Sequence, residues 1–199
     1  MTVQEFCKKI IPFLKKRGIK GVYRKLLEKA HVIPTKNHFL EDYEFLVDDV
    51  KIPFDEKEYE IHKDDELKIL NWVIPEMGKG SGGHLNIFRF VSFLEKMGFH
   101  SRIYLFKAPT LQDNESVREF LKENFPILDE RVEAYWDVKY AKFAHATIAT
   151  SWETAYFVKN FDNTVSKFYF VQDYEPFFFP HGSYYELAKN TYKFGFRGI

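Results

Sequence analysis

The sequence predicts an α/β domain, a parallel sheet flanked by helices, preceded by a helical extension. Three observations carry that expectation. Residues 67–106 run strand, glycine-rich loop, helix, strand, the unit that builds parallel sheets through right-handed crossovers. Residues 144–150 (AHATIAT) are short and uncharged, as a strand buried on both faces should be. A chain of 199 residues with 45% hydrophobic and 29% charged side chains is long enough for one such domain plus an extension, and short for two.

Residues 1–40 read as the basic helical extension, with two short helices broken near Gly18 and Gly21 and a polar interruption from His31 to Asn37. Within residues 1–30, nine Lys/Arg face only Glu5 and Glu28, a net charge of +7 in a chain whose overall charge is zero. That asymmetry points to an anionic partner. A membrane surface fits better than nucleic acid, because Phe6, Ile10, Ile11, Phe13 and Leu14 accompany the cations. A basic helix packed on an acidic body is the other reading. Residues 41–66 are acidic and read as an extended connector, with a strand near 45–47.

The domain proper is expected over residues 67–199. Its first strand is 67–74, ended by Pro75 and followed by a glycine-rich loop through His84. The next helix shows Ile87, Phe90, Val91, Leu94 and Met97 at the spacing of a buried face, and Gly98 is placed to end it. Residues 100–106 form a second strand, rich in β-branched and aromatic side chains. A helix lies within 116–124, and strands follow at 132–136 and 144–150. Thr150 and Glu153 have capping-box spacing, so a helix should begin near Ser151 and Trp152. Residues 167–171 make the next strand; Ser183 and Glu186 repeat the capping spacing before a helix through Lys189.

Two loops carry the candidate chemistry. In the first, Gly78, Gly80, Gly82 and Gly83 let the backbone approach a ligand, and the following helix offers free N–H groups to an anion such as a diphosphate. The dinucleotide fingerprint fails, because Leu85 stands where its third glycine belongs and Lys107 where its acidic residue belongs. The phosphate-loop motif fails too, since His84 and Leu85 follow Gly83. A flexible loop without a ligand is the competing reading. His84 at the junction either contacts a phosphate, sugar or acceptor, or caps the helix.

The second loop is Gln172-Asp173-Tyr174-Glu175, directly after a buried strand. Ligand crevices in open α/β sheets lie at the carboxyl ends of strands, so a carboxylate there can deprotonate or hold an acceptor hydroxyl. Asp173 alternatively caps a turn before Pro176. No set of residues suggests a metal site. With Cys7 the only cysteine, no internal disulfide is possible and a reducing compartment is expected. No run is apolar enough to span a bilayer and no secretory signal is evident, so a cytoplasmic place, peripheral to the inner face of the cell membrane, is expected.

Trp72-Val73-Ile74-Pro75 with Gly80-Ser81-Gly82-Gly83-His84 and Ile87-Phe88-Arg89 resembles the opening of the WsaF-type rhamnosyltransferases. Residues 149–155 (ATSWETA), 170–176 (FVQDYEP), and Gly182-Ser183 through Ala188 to Thr191-Tyr192 match the same family, in order, over about residues 67–199. The resemblance implies the N-terminal, acceptor-side, Rossmann-like half of a GT-B glycosyltransferase, lacking the C-terminal domain that binds the nucleotide-sugar, typically dTDP-rhamnose. It implies a cell-surface polysaccharide or lipid-linked glycan acceptor, with the sugar donor a substrate and no cofactor. Asp173 becomes the candidate base, and His84 with Gly80, Ser81, Gly82 and Gly83 faces the donor diphosphate. Gln172, Tyr174 and Glu175 join the substrate-binding set. A non-catalytic sugar- or partner-binding module on the same fold is the alternative.

Overall fold

The computed structural model describes residues 51–199. The basic extension, the strand expected near 45–47 and the anion-seeking segment 1–30 lie outside the described residues.

Six parallel strands form the sheet: β1 (Ile69–Pro75), β2 (His100–Phe106), β3 (Glu133–Tyr135), β4 (Ala144–Ala149), β5 (Thr164–Tyr169) and β6 (Arg197–Gly198). Their spatial order is β3-β2-β1-β4-β5-β6, a Rossmann-like α/β arrangement in which the winding reverses between β1 and β4. The helices are α1 (Glu56–His62), α2 (Gly82–Lys96), α3 (Asn114–Asn124), α4 (Trp152–Asn160) and α5 (Ser183–Thr191). Two 3₁₀ turns, Val138–Tyr140 and Glu175–Phe178, were not foreseen in the sequence.

The register Trp72↔Ile103 and Trp72↔Ile148 places these three side chains on one face of the sheet. Together with Leu70, Ile74, Leu105 and Ala146 they pack against Ile87, Phe88 and Val91 of α2 and Val117 and Leu121 of α3. The α2 face differs from the expected one. Phe88 is fully buried, edge-on to Phe125 at 4.7 Å, whereas Phe90 and Met97 are 42% and 72% exposed. The cause is visible at Glu95, drawn inward where its carboxylate accepts the Ser101 N–H and faces Arg131. The buried stripe therefore runs along 87, 88, 91, 92 and 95.

Residues 56–62, expected as extended connector, instead form α1. Asp55 caps it by accepting the N–H groups of Lys57 and Glu58. Glu58 then accepts from Phe143 N–H and the Asn163 amide, tying α1 to the amino ends of β4 and β5. The capping boxes are also displaced. At α4 the reciprocal pair is Ser151 with Thr154 rather than Thr150 with Glu153, because the Thr154 hydroxyl accepts the Ser151 N–H. At α5 the cap is Gly182, which has no side chain to offer, and Ser183 is the first helical residue.

Candidate functional site

At the β1–β4 reversal, Thr150 donates its hydroxyl to the Val73 carbonyl and ties the end of β4 to β1. Above it, β1 runs into the glycine loop, where Gly80 sits at φ +73°, a left-handed conformation that suits glycine. Ser81 is the N-cap of α2 and accepts the His84 N–H, so Gly82 and Gly83 already belong to the helix and not to the loop.

His84 is half-buried and engaged at both ring nitrogens. Nε2 lies 3.2 Å from the Pro75 carbonyl, which can only accept, so Nε2 carries the proton. Nδ1 then accepts the Ser81 hydroxyl at 2.7 Å. Burial depresses the imidazole pKa and favours this neutral form. The side chain thus braces β1 against the start of α2. Glu76, which sequence reasoning passed over, ties the same loop to the β2–α3 loop by accepting the N–H groups of Thr110 and Leu111 at 2.9 and 2.7 Å.

The second loop comes to the first through Gln172. Its Oε1 accepts from the Asn86 amide at 3.3 Å, across 86 positions of sequence. A Cβ placed on Gly83 would lie 3.6 Å from the Gln172 Nε2. Asp173 is exposed; its Oδ1 accepts the Tyr174 N–H at 2.7 Å, and Oδ2 has no partner among the described residues. Tyr174 packs its ring on Phe177 and Tyr192, at 4.8 and 5.1 Å between centroids, which makes it part of the loop's support.

Glu175 turns inward. Its Oε2 accepts the Trp152 N–H at 2.7 Å, at the N-terminus of α4, and its Oε1 accepts from the Tyr169 hydroxyl at 3.3 Å. Burial raises its pKa, against the lowering effect of those two hydrogen bonds. Both oxygens are committed, so Glu175 reads as an anchor between β5 and α4. Among the residues that sequence reasoning missed, Asn86 had a weak signal, one helical turn from Gly83. Tyr192 had none.

The carboxyl edge therefore brings the start of α2 and the loop of Gln172 and Asp173 together, while His84 and Glu175 brace the two loops. Among the described residues, no three His, Cys, Asp or Glu side chains are placed to hold a metal ion, and no helix is long and apolar enough to cross a membrane. Over 148 residues the chain is 28% identical to the O-antigen biosynthesis protein RfbC of Myxococcus xanthus, covering 67% of this chain and 11% of that protein. The chain thus spans about a tenth of that relative's length. No family model and no solved structure matches it.

Proposed function

We propose that this chain is the acceptor-side domain of a glycosyltransferase acting in cell-surface polysaccharide biosynthesis. The observation that carries the reading is the Gln172 contact with Asn86 and Gly83. It brings the glycine-loop helix and the carboxylate loop together at the winding reversal, where open α/β sheets bind ligands. The similarity to a protein named for O-antigen biosynthesis supports the substrate class. The finer assignment, a GT-B enzyme using dTDP-rhamnose with its donor site on a second Rossmann domain, comes from the motif resemblance.

In this mechanism the Asp173 carboxylate takes the proton of an acceptor hydroxyl as that oxygen bonds to the donor's anomeric carbon. The bond to the nucleoside diphosphate breaks, and the leaving group keeps the electron pair. The unpaired N–H groups at the start of α2 face the diphosphate charge. His84 acts by keeping that helix start in place.

Amide shift mapping of the intact chain with deoxyhexose-terminated oligosaccharides tests the location. Perturbations should centre on Gly82, Gly83, Asn86, Gln172 and Asp173. Perturbations confined to the amino edge, around His100 and Glu133, would refute it.

A further inference from the structure

We infer that Tyr192 is a positioning residue for Asp173, an inference that rests on Asp173 being the acceptor-facing base. The Tyr192 hydroxyl donates to the Asp173 carbonyl at 2.9 Å and accepts the Glu175 N–H at 3.1 Å. Both partners are main-chain groups of one short turn, so a single oxygen staples the backbone on either side of Tyr174. The Asp173 side chain then bonds the Tyr174 N–H within that turn, which fixes the direction of the carboxylate. Without the hydroxyl, nothing else among the described residues joins the Asp173 carbonyl to α5.

Tyr192 is itself well held. It is the C-cap residue of α5, next to Thr191, which is buried and donates its hydroxyl to the Ala188 carbonyl at 2.7 Å. The Tyr156 hydroxyl of α4 reaches the Leu187 carbonyl at 3.1 Å and locks α5 to its neighbour. The Tyr192 ring packs on Tyr169 and Tyr174, at 5.5 and 5.1 Å between centroids. Those ring contacts survive in Tyr192→Phe, which removes the staple and leaves the packing. The carboxylate is thereby positioned from the C-cap of a helix that follows it in sequence.

The test compares Tyr192→Phe, Asp173→Asn and Val117→Ala with wild type, in the intact chain for hydrogen exchange and in the full-length protein for sugar transfer. In Tyr192→Phe the Glu175 amide should exchange about tenfold faster or more. Turnover should fall roughly 10- to 100-fold, the penalty of a misplaced catalytic group, with the donor KM and thermal midpoint close to wild type. Val117→Ala loosens the α3 packing away from Tyr192 and the turn; it should lower the midpoint and keep turnover per folded molecule. If Tyr192→Phe behaves like Val117→Ala, or the Glu175 amide exchanges as in wild type, the inference is overturned. If Asp173→Asn is inactive while Tyr192→Phe turns over normally, the inference alone fails. If Asp173→Asn keeps full turnover, the base reading fails and the inference falls with it.

Discussion

Glu175 and Asp173 lie two residues apart and have opposite surroundings. Asp173 is exposed, while Glu175 is enclosed and its carboxyl is pushed above the usual range by burial. A carboxyl whose folded pKa is raised contributes stability below its unfolded pKa, and that contribution is lost as pH rises through the folded value. Glu175→Gln should therefore abolish this loss and leave the protein as stable or more stable at neutral pH. The amide oxygen still accepts the Trp152 N–H, and its NH₂ can donate to the Tyr169 oxygen. Glu175→Ala removes the carboxylate acceptor of that helix-terminal N–H and should cost about 1–2 kcal/mol. Denaturant midpoints across pH 4–8 decide it, and equal losses in both variants would contradict the anchoring role. Sequence reasoning placed these carboxylates at a strand end because an apolar run precedes them. It did not separate their roles, since the Trp152 and Tyr192 contacts reach across the fold.

At the scale of the element, the glycines of the first loop divide into two kinds. Gly80 needs its positive φ, so Gly80→Ala should destabilise by about 1–2 kcal/mol. Gly82 and Gly83 are helical, and a Cβ would meet nothing within 4 Å at Gly82 and only ordinary contacts at Gly83. Replacing either with alanine should leave stability unchanged or raise it by up to about 1 kcal/mol. If a ligand approaches the backbone there, the same substitutions should weaken donor binding or turnover. Stabilised variants with normal function would mean that nothing approaches that helix start. Most elements were legible: β2 was bounded correctly, and β1, β3 and β4 to within two residues. The α2 face was not, because 87, 90, 91, 94 and 97 satisfy helical spacing as well as 87, 88, 91, 92 and 95 do. The choice depends on Phe125 and Ser101, partners that no periodicity reveals. Likewise α1 hides in acidic sequence and contributes no buried residue of its own.

Over the whole molecule, parallel pairing was readable from the strand–loop–helix–strand unit. The position of the reversal between β1 and β4 was not, because strand order depends on tertiary pairing. β6 escaped notice because two residues, Arg197 and Gly198, carry no alternation. The candidate site stood in the sequence as two separate motifs, and only folding shows that Gln172 joins them. What the joined loops do is read most directly from transfer of sugar to acceptor by the full-length protein, followed by mass spectrometry. Asp173→Asn should lower turnover by roughly 10²–10⁴-fold, because a base contributes mainly in the transition state. Donor affinity should hardly change, since the proposed donor site lies on another domain. Near-normal turnover in a folded Asp173→Asn protein would contradict the account.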